Sequence, residues 1–194
     1  QVDSNGLLPL RASERVFVRA FDFRRYLQRE LRPHLAAAPH REPLLESRHG
    51  PGLRPLGQLP REITERWPAA DPGLLSGRLA LGVLPIDHSV GPAPFEGGAQ
   101  AGTRLVRDFM VERLARYDQR NQPESDAASG LSPYLHFGHV SAHQIFERIV
   151  DQEPWSLESL GQSSGGKREG WWGLSAPAEG FLDQLVTWRE LGYN

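Results

Sequence analysis

Residues 129–138 read SGLSPYLHFG. Ser132-Pro133 is a helix-start signal, because Ser can cap and Pro early in the first turn loses no hydrogen bond and has its φ preset. Gly138 ends the turn or lets two backbones approach. Just before the start, Ser129-Gly130-Leu131 offers a hydroxyl, free amides and a flexible hinge. Free N–H groups at the positive end of a helix dipole favour an anion, a phosphate above all. The residues by themselves leave two readings open, a diphosphate seat and an ordinary capped helix.

Working outward, the flanking stretches read as helices. Residues 101–117, AGTRLVRDFMVERLARY, place Leu105, Val106, Phe109, Met110 and Leu114 on one face. Residues 141–150, SAHQIFERIV, open with Ser141 and Gln144 in the pattern of a capping box. Residues 178–191, AEGFLDQLVTWREL, bring Phe181, Leu182, Leu185 and Val186 to a core-facing side. Towards the other end, residues 13–38 predict a helix through Val16, Ala20, Phe23, Leu27 and Leu31, with Arg24, Arg25, Arg29 and Arg32 among them. Those arginines read either as a solvated face or as a face over phosphates. Residues 4–10 read as a turn with the end of a strand. Residues 39–98 are broken by Pro and Gly into a long connector with short helices. The expected chain is mostly α, with apolar helix faces that need partners.

Composition narrows the chemistry. The 194 residues include no Cys, which excludes disulfides, thiolate nucleophiles and Cys-ligated metals. No apolar run approaches the ~20 residues needed to span a bilayer. Net charge is -2, but residues 1–66 hold 12 Arg against 8 acids, and Lys167 is the only lysine. The Arg richness reads mainly as genomic base composition, with phosphate contact as the second reading. His136, His139 and His143 lack the Glu of a zinc-peptidase helix, so no metal is expected. GGAQAGT has no Lys-Ser/Thr to make a P-loop, and no G-x-S-x-G elbow occurs. Trp171-Trp172 reads as a loop anchor rather than an electron relay.

SGLSPYLHFGHVSAHQIF resembles the flavin-binding signature of the DNA photolyase/cryptochrome family, with its Ser-x-Leu-Ser-Pro-Tyr-Leu core. FLDQLVTWREL resembles that family's next signature, an aromatic-Leu-x-x-Leu helix leading into Trp-Arg-Glu. The helix ending at Tyr117, followed by RNQP and DAAS, sits where the family has a Tyr-ended helix and a loop. VDSNGLLPL is similar to the final strand of the family's N-terminal α/β domain, in the style of class II photolyases. The resemblance is specific in residues 101–150 and 181–191 and vague in 39–98.

The resemblance implies the first part of a helical FAD-binding domain over residues 99–194. An interdomain connector with helices over 13–98 would precede it, and residues 1–12 would end a missing α/β domain. It implies a flavoenzyme whose reduced FAD, excited by light, donates an electron to a pyrimidine dimer flipped out of DNA, after which the dimer splits and the electron returns. Tyr117, Ser129, Gly130, Leu131, Ser132, Gln184 and Arg189 would bind the cofactor, and Gln184 and Trp188, one turn apart, would meet the damaged bases. Glu190 belongs to the same helix. No catalytic residue is carried over, because the family's downstream half lies outside this sequence, and about half of a flavin pocket is expected, with weak or no flavin binding. UV-damaged DNA is the implied partner, with a monomeric, cytoplasmic setting and no membrane. Gly130 stands where the family often has a larger residue. Gln184 stands where many cyclobutane-dimer photolyases have Glu, and Gln can neither carry charge nor supply a proton. That departure is compatible with a rival, a cryptochrome-like flavin photosensor, and a helical remnant that never takes up a cofactor is the other alternative.

Overall fold

The computed structural model describes residues 5–41, 57–76, 82 and 84–193. It divides into two compact units, Gln1–Arg41 with Glu96–Asn194, and Glu42–Phe95. The expected connector 13–98 is therefore shared out, its first helix belonging to the same unit as the later helices. Among the described residues the structure is helices, turns and loops, with no strand.

In the larger unit, a tight turn at Leu10–Ala12 leads to helix α1, Ala20–Ala36. Helix α1 starts later than the apolar pattern predicts. Ser13 caps nothing; its hydroxyl accepts from the Arg15 N–H at 3.0 Å in a local turn, and Val16 and Val18 stay exposed. From Ala20 the pattern holds, and Phe23, Leu27, Leu31 and Leu35 recur every fourth residue on the buried side. Asp22 in the first turn complements the dipole and pairs with Arg19 at 2.7 Å.

The smaller unit's described helices are α2, Arg61–Arg66, and α3, Pro72–Leu75. Asp71 caps α3 by accepting from the Gly73 N–H at 2.6 Å. The Gly/Pro-rich residues 49–56 lie outside the described residues.

Helix α4, Ala99–Asp108, runs on through a wide π-type stretch, Phe109–Arg113, and tight turns, Leu114–Asn121. Gly102 is where α4 is approached closely: a Cβ there would lie 2.8 Å from Val140 and 2.9 Å from Tyr134. Helix α5, Ser132–His136, ends in a Schellman motif. The His139 N–H donates to the Tyr134 carbonyl at 2.8 Å and that of Gly138, at φ +67°, to Leu135 at 3.3 Å. In helix α6, Ala142–Val150, Ser141 caps as expected, accepting from the Gln144 N–H at 3.0 Å. The reciprocal half of the predicted box is not made, since the Gln144 amide donates to Thr103 instead.

Helix α7, Ala176–Leu182, continues through π-type turns, Asp183–Trp188, into α8, Arg189–Leu191. This composite last helix lies across the core. Phe181 packs on Phe109 and Tyr117, with ring centroids 4.7 and 5.0 Å away. Fully burying a ring such as Phe109 contributes ~1.5–3 kcal/mol relative to leaving it exposed. Trp171 and Trp172 are buried against each other, and Trp172 against Phe146, so the pair anchors its loop as the sequence suggests. The Trp171 Nε1–H is buried without a hydrogen-bond partner among the described residues.

Three buried carboxylates fix the last helix. Glu179 accepts from the N–H groups of Gly170, Gly173 and Leu174. Asp183 takes Arg24 of α1 in a two-bond fork at 2.9 and 3.2 Å. Glu190 accepts from the Leu7 and Leu8 N–H groups at 2.6 and 3.3 Å. This last contact corrects the expected strand, because the Leu7 and Leu8 donors serve a side chain rather than a sheet ladder, and residues 5–8 form bends.

Asp183→Ala leaves the Arg24 guanidinium, only 12% exposed, without its counter-charge. The expected cost is about 3–5 kcal/mol, read from urea unfolding of the two proteins. A loss below about 1 kcal/mol would show that the pair does not hold α1 to the last helix.

Candidate functional site

A concave pocket of about 400 Å³ opens between the start of α5, the turns after α4 and the last helix. Its wall includes Tyr117, Ser129, Ser132, Gln184 and Arg189, five residues that the sequence singles out from three separate stretches.

The α5 side is built by a sharp turn. Gly130 sits at φ +68°, a region that L side chains rarely adopt, so a larger residue there would need a different backbone. Leu131, buried in the core, pins the turn from beneath. The helix begins one residue earlier than expected: Leu131 already has helical φ/ψ and is the cap residue, without a side-chain cap bond. Ser132 is thus the first helical residue and does not cap. Its hydroxyl makes no hydrogen bond among the described residues and faces the pocket wall. Ser129 takes the local role instead, accepting from the Leu131 N–H at 3.3 Å.

The last-helix side depends on its π-type turns. In an α-helix, residues four apart share a face, which would pair Gln184 with Trp188. The wider turn, with bonds from i to i+5, aligns Gln184 with Arg189 instead. Both line the pocket, whereas Trp188 is 51% exposed and lies outside it. The structure therefore separates the expected pair 184/188. Arg189 also donates to the Asn5 carbonyl and lies over the Tyr193 ring, 5.1 Å from its centroid.

Leu135, His136, Phe181, Leu185 and Tyr193 complete the wall. His136 was legible in principle, being one helical turn after Ser132 and so on the same face. Tyr193 had no sequence signal, since it reaches the pocket by following Arg189. Tyr117 packs its ring edge-on to Phe109 and Phe181. Burial pushes its phenol up, and the Arg120 guanidinium, 4.6 Å from the ring centroid, opposes this. The donor set is two serine hydroxyls, an amide, an imidazole and a guanidinium beside aromatic rings. It suits an anionic group attached to a flat ring system. Among the described residues no three potential metal ligands gather; His139 accepts the Gly98 N–H at its Nδ1.

Behind Arg189, Glu190 is buried beneath residues 6–8, and a Cβ at Gly6 would collide with its side chain. Burial pushes the Glu190 carboxyl up to about 8, against the pull of the Leu7 and Leu8 N–H groups and of Arg189.

No protein-family model matches the chain. Among curated proteins it is similar to the deoxyribodipyrimidine photo-lyase of Methanothermobacter thermautotrophicus, 37% identical over 104 residues, which are 53% of this chain and 18% of that protein. The enzyme of the same name from Potorous tridactylus is 38% identical over 68 residues, 34% of this chain and 13% of the relative. That from Streptomyces griseus is 39% identical over 66 residues, 34% and 14% respectively. The matched stretches amount to less than a fifth of each relative's length.

With a folded-state value near 8 against 4.5 for the free side chain, the folded protein holds the Glu190 proton more tightly than the unfolded chain. Stability from this group is complete below pH 4.5 and falls as pH rises towards 8, by up to about 1.4 kcal/mol per pH unit. Glu190→Gln, which cannot ionise, is expected to flatten this fall. Parallel pH profiles of the melting temperature for the two proteins would show that Glu190 is not strained by burial.

Proposed function

We propose that this chain, a relative of the deoxyribodipyrimidine photo-lyases, supplies one wall of a flavin site used for light-driven repair of pyrimidine dimers in DNA. The observation that supports this is the convergence of Tyr117, Ser129, Ser132, Gln184 and Arg189 on one pocket. When bound, FAD would supply the absorbing group and the electron that splits the dimer.

The residues present fit part of that cofactor. A wall with two hydroxyls and a guanidinium suits phosphate oxygens, and Ser132 has its hydroxyl to spare. Tyr117 and Phe181 give an apolar, ring-lined surface that keeps water from a flat ligand. Gln184 can donate to or accept from a ring edge, and it holds no charge beside it. About 400 Å³ accommodates one half of a dinucleotide rather than the whole, in keeping with a chain that matches only a small share of its relatives. Damaged DNA would be the partner, flipping its lesion towards the last helix.

Gln184 favours a second reading, a flavin light sensor of the same family, since it brings no proton or charge to a substrate. Repair of a defined thymine dimer under blue light by the FAD-loaded protein separates the two.

The test of the site is a titration of the purified chain with FAD, followed by flavin fluorescence anisotropy. Weak binding is expected, and Ser132→Ala and Arg189→Gln should each weaken it about tenfold, as loss of a hydrogen bond to a charged group does. No binding at saturating FAD, or equal binding by the variants, would sink the assignment for this chain.

A further inference from the structure

A further concavity, of about 320 Å³, lies between α4 with its π-type continuation and α6. Buried Val106 and Met110 supply its apolar wall, and Val111 adds a side chain left 76% exposed. Met110 and Val111 belong to the π-type stretch Phe109–Arg113, and such wide turns recur at functional sites. Met110 is the chain's only methionine. Its unbranched thioether can shift to fit an irregular apolar ligand.

The polar part of the lining is largely committed. The Gln144 amide donates to the Thr103 hydroxyl at 3.3 Å and so bridges the two helices. With that bridge, the space between them is a short basin rather than a channel for an extended peptide. Arg104 pairs with Glu96 at 2.6 Å, Arg107 with Asp108 at 2.9 Å, and Asp151 with Arg41 at 3.0 Å. Arg148 is the exception: among the described residues its guanidinium makes no hydrogen bond or ion pair. The lining thus offers one open fork beside an apolar wall.

We propose that this basin binds a small monocarboxylate with an apolar body, its carboxylate on Arg148 and its body against Val106, Met110 and Val111. The two oxygens of a carboxylate are satisfied by one planar fork. A phosphate dianion calls for a second cation, and Arg104 and Arg107 already face acids of their own. A volume of about 320 Å³ falls at the lower end of small-ligand sites, which suits a short aliphatic or single-ring body. The basin shares no residue with the 400 Å³ pocket, so it stands or falls independently of the flavin reading.

The experiment is isothermal titration of the chain with octanoate and, separately, with octanol, which has the same body and no charge. The wild-type protein is expected to bind octanoate saturably and to prefer it over octanol about tenfold, as a hydrogen bond to a charged group does. Arg148→Gln should bind octanoate about tenfold more weakly, which abolishes the preference. Val111→Asp, which places a negative charge at an exposed position of the basin, should weaken octanoate binding further. No saturable binding of octanoate by the wild type, no preference over octanol, or equal octanoate binding by wild type and Arg148→Gln overturns the proposal. Circular dichroism checks folding. Should Arg148→Gln not fold, Val111→Asp decides: weaker octanoate binding supports the site, and unchanged binding overturns it.

Discussion

The last helix carries three carboxyl groups into the interior, and the arrangement of the larger unit follows from where each one is satisfied. Glu179 gathers the amides of the loop at 170–174, Asp183 holds Arg24, and Glu190 holds the amides of Leu7 and Leu8. A buried carboxylate is costly unless its oxygens are filled. Each of these therefore specifies one neighbour, where an apolar face alone would accept many. Around them the aromatic contacts of Phe109, Tyr117 and Phe181 supply the non-directional part of the packing.

The same interior bonds fix several of the arginines. Arg189 belongs to the larger pocket because π-type turns advance it onto the face of Gln184. Arg24 and Arg32 are committed to Asp183 and to the Leu160 carbonyl.

Much of this was legible in the sequence, and the failures have particular causes. The helices at 141–150 and in the first part of 101–117 follow from strong apolar periodicity, and Ser141 from cap chemistry. Helix α1 was drawn too long because Val16 and Ala20 mimic a continuing stripe, while Ser13 closes a local turn instead. Gln184 and Trp188 were paired on a spacing of four, whereas the π-type turns set Gln184 beside Arg189 on the pocket wall, and nothing in DQLVTW announces such a turn. Ser132 was read as a cap because Gly130 hid the earlier start at Leu131. The strand expected near residues 4–10 failed for a reason no local pattern holds: its amide partners lie 182 and 183 residues away.

That separation bears on how the chain acquires its structure during synthesis. Residues 7 and 8 leave the ribosome 182 to 183 residues ahead of Glu190, whose carboxyl group receives them. At a synthesis rate of about 5–20 residues per second, this segment waits on the order of ten seconds or more for its acceptor. Until then Leu7, Leu8 and the apolar side of α1 remain uncovered, exposed to chaperones and to other chains. Closing so long a loop is also entropically slow. The contact at Glu190 thus marks a late event in assembly, after the helices between have had time to form.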